Sequence, residues 1–316
     1  MSSAFLRRHE EKFPTSMQVT YSPTQLDAFG RLRISEPFTV LESSFVRDEN
    51  TVQTCSKLTG GATLVREETR MIMTVGTGDT GILQSRARAI YQPGKSLLTL
   101  MTATLNYDSN SSDVITRVGL YDDDDGFFFE CLGNKLYCCK RSSSSGAIIN
   151  TYNYTNTSFD LSKMLIFWID HEWLGAGRVR MGVVINGEFH ILNEFKHSGV
   201  VGEPYTNLAS QPVRYEIQST TGAGKILCNC ACVMSEGGFN ILGRLFAVDN
   251  HLTSKTIGAA MEPILSMRIK SGSKINAIIQ QISVVAVSNN ASIHYELFIV
   301  HDDSTGSSLT GESWIG

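Results

Sequence analysis

No stretch of this chain comes near the roughly 18 uninterrupted apolar residues that a membrane-spanning helix needs, and charge is scarce as well. Asp, Glu, Lys and Arg make up 18% of the 316 residues, against roughly 25% in an average soluble chain. The 27 basic and 31 acidic residues leave a formal net charge of −4. No overall basic field is therefore available for nucleic acid, and no polybasic block for a membrane surface. A hydrophobic share of 42% excludes a disordered chain, and low charge beside it points to surface hidden against partners. The first residues, MSSAFLRRHEEKF, are charged and have no apolar core, so no secretory leader is expected. With seven cysteines, an odd number, the expectation is a reducing compartment and free thiols rather than a disulfide framework. The N-x-S/T triplets at Asn110, Asn153, Asn156 and Asn290 then read as loop chemistry rather than glycan sites.

Helical signals are nearly absent, and what fills the chain is strand after strand. The stretch 163–195, KMLIFWIDHEWLGAGRVRMGVVINGEFHILNEF, holds three apolar runs with Asn186-Gly187 between the second and third, a strong hairpin signal. It predicts a meander of three antiparallel strands. The unbroken run 164–169 reads as covered on both faces, whereas Arg178, Arg180, Gly182 and Val184 alternate with apolar neighbours as in a strand with one wet face. The meander thus runs from the centre of a sheet to its edge. Short runs rich in β-branched and aromatic residues recur at 38–46, 62–65, 69–75, 82–89, 96–105, 114–121, 126–132 and 135–140. They resume at 213–219, 225–234, 263–270, 276–287 and 292–300. Gly133-Asn134 supplies a two-residue turn between FFFECL and KLYCCK. The expected fold is all-β: an antiparallel sandwich of jelly-roll or concanavalin-like type spanning 38–316, with two packed layers divided near 218–225 as the alternative.

Ahead of it, residues 1–37 read as an arm. Residues 2–13 are expected to form one amphipathic helix closed by Pro14, and 23–38, PTQLDAFGRLRISEPF, is expected as an extended segment bracketed by Pro23 and Pro37. Arg31 and Arg33, one alternation apart, would point the same way from an extended chain. Asp27, Phe29, Arg31 and Arg33 are the candidate partner-binding residues of the arm. Four serines at 142–145 and MSEGGFNIL at 234–242 interrupt the strands as loop and bulge or turn.

Each motif with a chemical suggestion also has a plainer reading. QPGKS at 92–96 has the end of a phosphate-binding loop, but Ala89 stands where that motif needs glycine and LLTLM after it is a strand, so a type II turn at Pro93-Gly94 is expected. Asp122, Asp123, Asp124 and Asp125 before Gly126 are a loose calcium candidate. An EF-hand register there puts Tyr121 at the first ligand and Leu132 at the last, so a solvated turn is the plainer reading. Cys228, Cys230 and Cys232 alternate along one strand and would share a face, near Cys131, Cys138 and Cys139. A flat strand does not wrap a metal, and they read as small core residues. Asp170, His171 and Glu172 before Trp173 suggest an acidic hydrolase pair, yet they follow a buried strand, and a polar turn at the sheet end is expected. No G-x-S-x-G elbow is present to offer a nucleophile. No catalytic residue, metal or cofactor follows from these patterns. Among the aromatics, Phe127, Phe129 and Trp168 are expected in the core, while Tyr152 and Tyr154, in an Asn- and Thr-rich loop, are the candidate glycan contacts.

Several phrases together carry a resemblance: DAFGRLRISEPF (27–38), SRARAIYQPGKS (85–96), FWIDHEWLGAGRVRMGVVINGEF (167–189), PVRYEI (212–217) and SEGGF (235–239). In these the chain resembles structural proteins of tailed phages and related large double-stranded DNA viruses, whose middle segment is similar to lectin- or jelly-roll-type sandwiches. The resemblance implies a virion component assembled in host cytoplasm, a homo-oligomer in contact with other virion proteins, without enzymatic activity. It carries no catalytic residues onto this chain, and the charge balance gives the expectation of no nucleic acid or membrane partner. A lectin-like module that binds a host surface glycan is the alternative expectation.

Overall fold

The computed structural model describes residues 26–27, 30, 37–45, 49–51, 53–142 and 159–240, and the backbone of 148–154. These lie within one compact unit, Met1–Ile241; the second unit, Leu242–Gly316, is outside the described residues. So are the expected helix 2–13, Phe29, Arg31, Arg33 and the expected strands 263–270, 276–287 and 292–300.

Fifteen strands make up the regular structure among the described residues. In chain order they are β1 (Pro37–Ser44), β2 (Thr54–Thr59), β3 (Thr63–Glu67), β4 (Arg70–Val75), β5 (Thr80–Ser85), β6 (Ser96–Tyr107), β7 (Val114–Tyr121) and β8 (Gly126–Leu132). Then follow β9 (Lys135–Arg141), β10 (Ile148–Tyr154), β11 (Leu165–His171), β12 (Val179–Ile185), β13 (Glu188–Phe195), β14 (Val213–Ser219) and β15 (Gly224–Glu236). An eight-stranded sheet has the order β13-β12-β11-β6-β15-β4-β3, with β1 also paired to β15, and a seven-stranded sheet has the order β10-β9-β8-β7-β14-β5-β2. The strand pairings are antiparallel, so the all-β sandwich expected from the sequence is the fold. Residues 220–223 join β14 in one sheet to β15 in the other.

Alternation along the strands builds the core between the sheets. Phe127, Phe129, Cys131, Val118, Leu120, Tyr215 and Ile217 from the seven-stranded sheet meet Met73, Leu97, Met101, Ala103, Phe167, Ile169 and Met181 from the other. Phe129 and Phe167 touch across the gap with ring centroids 5.0 Å apart. Burying a side chain of this size contributes about 1.5–3 kcal/mol, so this layer dominates the fold's stability.

The meander forms as the sequence predicts. β11 pairs β12 and β12 pairs β13, with Ile185 opposite Glu188 across the Asn186-Gly187 turn. Both turn residues have positive φ, 52° and 83°, the conformation a I′ turn requires and the reason an Asn-Gly pair marks it. Three sequence expectations need correction. Residues 148–154 are strand β10, paired to β9, not a loop around Tyr152 and Tyr154. The run 164–169 is not covered throughout: Met164 is 44% and Ile166 39% exposed, and burial on both faces begins at Phe167. Cys228, Cys230 and Cys232 do not share a face, because the register slips between Cys228 and Ala231 where β15 changes its partner from β4 to β1. Cys228 is buried in the core while Cys230 is exposed.

Candidate functional site

The end of β11 carries the densest chemistry. Because side chains alternate, Ile169 and His171 face the core while Asp170 points to the outer face of the eight-stranded sheet, with Glu172 just past the strand. The three polar residues do not make the polar turn expected at the sheet end: Asp170 and His171 belong to β11, Asp170 and Glu172 are fully buried and His171 nearly so. The two carboxylates are held separately. Asp170 lies directly opposite Arg180 on β12, and the Arg180 Nε donates to its carboxylate at 2.9 Å. Glu172 accepts the Tyr91 hydroxyl at 2.5 Å and the Gly94 amide at 3.2 Å. Burial first, and the carboxylate of Glu172 second, push the Tyr91 phenol well above its ordinary range. Burial also lowers His171 to about 4, so its imidazole is neutral near pH 7.

Beside His171, an aromatic group closes the end of the sandwich. His197 stacks on Tyr205 at 4.0 Å, and Phe127 packs against His171, Phe195, His197 and Tyr205. His197 Nδ1 lies 2.8 Å from the Gly177 carbonyl and its Nε2 lies 3.4 Å from Lys140 Nζ; burial leads in lowering its pKa. The cavity lined by Phe127, His171, Trp173, Tyr205 and Gln211 holds about one water molecule. Neither a sugar ring nor a peptide fits there.

Arg180 also reaches the arm. It is 1% exposed, and its Nη2 donates both to Asp170 and to the main-chain carbonyl of Leu26. Arg178, one alternation earlier, donates to the Asp27 carbonyl at 3.0 Å and pairs with Glu194 at 3.2 Å. Gly30 closes a turn by donating its amide to that same Asp27 carbonyl at 2.9 Å. Asp27 is buried, so this candidate arm residue sits on its own domain. The face expected to be wet at Arg180 is dry because residues distant in sequence cover it. Trp168 adds to this cover. It is fully buried on the outer face, packed on Phe189, with its indole N–H given to the Val183 carbonyl at 3.2 Å. It is therefore outside the inter-sheet core, whereas Phe127 and Phe129 are in it. Gly182 makes room for the indole: a Cβ there would sit 2.6 Å from the ring and 1.9 Å from the His190 carbonyl oxygen.

A second charged network lies on the outer face of the seven-stranded sheet, and no sequence pattern announced it. Arg117 of β7 bridges Glu130 of β8 at 2.8 Å and Glu216 of β14 at 2.5 Å. Burial opposes its charge, but Glu216 and Glu130 hold its pKa above the ordinary value. Guanidinium groups stack over two buried rings: Arg117 and Arg141 over Phe128, and Arg141 and Arg214 over Tyr121, all within 5.7 Å. The Asp122–Asp125 loop is dispersed around this network. Asp122 turns to Arg88 at 2.7 Å and accepts the amides of Asp124 and Asp125, Asp123 pairs with Arg214 at 2.5 Å, and Asp125 accepts the Asn207 amide. Among the described residues no group of three or more His, Cys, Asp or Glu is placed to hold a metal ion. Pro93-Gly94 forms a turn, closed by the Lys95 amide on the Gln92 carbonyl at 3.1 Å with Gly94 at φ 81°, and β6 follows it. Among the described residues no helix is long and apolar enough to cross a membrane.

No family model matches the sequence, and no curated protein matches it. Among solved structures, the chain is similar to a botulinum neurotoxin serotype D binding domain, 11% identical, over 63% of this chain and 47% of that one, with a TM-score of 0.42. A serotype D ligand binding domain in complex with N-acetylneuraminic acid is 12% identical over 63% and 47%, with a TM-score of 0.39. A protein of unknown function from Shewanella oneidensis is 10% identical, over 72% of this chain and all of that one, with a TM-score of 0.44. The chain spans about half the length of the neurotoxin domains it matches. Overlaps of this depth assign no ligand to it, and its function has to be read from its own side chains.

Proposed function

We propose that this chain is a non-enzymatic structural component of a virion, at the capsid, a vertex or the tail, that acts by packing against copies of itself and other virion proteins. One observation carries the non-enzymatic half: the two carboxylates near the end of β11 are each buried in a separate contact, and the space beside His171 holds about one water. A glycosidase needs two carboxyl groups held roughly 5–10 Å apart across a shared cleft. Here Asp170 turns to Arg180 and Glu172 to Tyr91. The virion half is supported by the phrases 27–38, 85–96, 167–189, 212–217 and 235–239, which fall at the arm turn, the Pro93-Gly94 turn, the meander, β14 and the end of β15. On this reading the chain assembles in host cytoplasm and ends in the particle. The test is sedimentation of the purified chain across a concentration series, with mass spectrometry of purified particles. Concentration-dependent oligomers and recovery from particles are expected; a strict monomer that no particle contains would end the proposal.

The glycan-binding reading keeps one foothold. Among the described residues β10 is the terminal strand of its sheet, and it carries Tyr152 and Tyr154. Binding on a glycan array that is lost in Tyr152→Ala and Tyr154→Ala would establish it, and no binding at millimolar sugar would remove it.

A further inference from the structure

Four charged residues form a row across three strands on the outer face of the eight-stranded sheet. Asp170 on β11 is opposite Arg180 on β12, which is opposite Glu194 on β13, and Arg178 pairs with Glu194 beside them. This row differs from the Arg117 network in one respect. The partners of Arg117 lie on β8 and β14, strands next to its own in the same sheet. Arg180 and Arg178 instead direct donors out of the sheet to the carbonyls of Leu26 and Asp27, 154 and 151 residues away in the chain. A buried guanidinium needs its donors met, and here main-chain oxygens from the arm help to meet them. Main-chain carbonyls look alike in every copy, so the row reads the path of the arm and not which copy it came from.

Chain length permits either origin. From β12 the sheet order passes through β11, β6 and β15 to β1, four strand spacings, or roughly 19 Å. The nine residues 28–36 between Asp27 and β1 reach at most about 30 Å. A link that can cross the sheet within one chain can also project the arm outward from β1 to a neighbour, with the same contacts made at its end. Exchange of an identical element costs little, since no contact is lost in the trade.

We propose that the row Asp170, Arg180, Glu194 and Arg178 is an arm-exchange socket, which takes the Leu26 and Asp27 carbonyls of a second copy of this chain when copies assemble. It rests on the self-assembly reading above and names the contact through which that assembly is made. The socket recognises an extended main chain rather than a particular side chain, and its two arginines set the register of the incoming segment.

The experiment uses the full chain with a photo-crosslinking benzophenone residue in place of Leu26, prepared in light and heavy isotope forms and mixed one to one before assembly. Mass spectrometry of the crosslinks is expected to place them in 178–184, with light-to-heavy pairs approaching half of the total. The paired variant Asp170→Leu/Arg180→Met removes both charges of that pair together, and it is expected to keep the β-sheet circular dichroism while losing most of these crosslinks. Crosslinks that map elsewhere, or that persist in the paired variant, would overturn the socket. Oligomers whose crosslinks are all same-isotope would overturn the exchange while leaving self-assembly standing. A strict monomer with same-isotope crosslinks would overturn both.

Discussion

On the outer face of the seven-stranded sheet, Arg117 is clamped between Glu130 and Glu216, and the rings of Tyr121 and Phe128 lie under a layer of guanidinium groups. On the outer face of the eight-stranded sheet, Arg180 holds Asp170 and also a carbonyl of the arm. The first network is closed within neighbouring strands of one sheet, so its work is to fix β7, β8 and β14 to one another. The second opens to a distant segment. Similar chemistry thus gives a brace in one place and a dock in the other, and what separates them is where the remaining donors point.

The largest expected effect separates the two directly. Arg117→Ala takes the arginine from buried Glu130 and leaves buried Glu216 with Arg214 at 3.6 Å and the Tyr121 hydroxyl at 3.1 Å; it is expected to destabilise the fold by about 3–5 kcal/mol in urea titration, with the crosslinking position of Leu26 unchanged. If Arg117→Ala moved the arm as well, the two faces would not be independent.

Acid provides a second way to set the faces against the core. His171 has a folded pKa of about 4, below its unfolded value of about 6.5, so the unfolded chain binds the extra proton between these values. Stability therefore rises with pH through that window and is lost as pH falls from 7 towards 4, by about 3 kcal/mol. Denaturant titrations at pH 7, 5.5 and 4 check this, and His171→Leu is expected to flatten most of the loss. His197, whose pKa burial also lowers, adds in the same direction.

A smaller effect is expected at Gly182→Ala. The new methyl meets the Trp168 ring and the His190 carbonyl, a clash that costs about 1–3 kcal/mol. It should appear as lower thermal stability with an altered tryptophan fluorescence spectrum. Smallest in stability is Arg178→Ala, whose pair with Glu194 is about a third exposed and is worth about 0–1 kcal/mol. Its expected signature is faster amide hydrogen exchange at Gly30 with little change in the rest of the sandwich, the pattern of a dock and not of a brace.

The two-residue turns and the apolar runs made most of the fold legible. Asn186-Gly187 fixed the meander's pairing, and the runs 114–121, 126–132 and 213–219 match β7, β8 and β14 in full. β2 and β10 are not legible because TCSKLT and IINTYNY lack a clear apolar alternation, and among the described residues both are terminal strands of their sheet. An edge strand with polar positions is hard to tell from a loop. The site was less legible than the fold. Asp170, His171 and Glu172 stood out as residues, but their burial depends on Arg180, Tyr91 and the arm, and the Arg117 network links residues 13 and 99 positions apart.

What the sequence alone determined is the all-β class, the antiparallel meander and the inward side of most strands, because side-chain alternation and positive-φ turn residues act over a few neighbouring positions. Only the tertiary structure decided that Arg180 is dry, that the bulge in β15 parts Cys228 from Cys230, and that Glu130 and Glu216 share one arginine. Each of these depends on what a distant segment places against the residue. Desolvation and pairing are properties of the assembled neighbours, and no local pattern of residues encodes them.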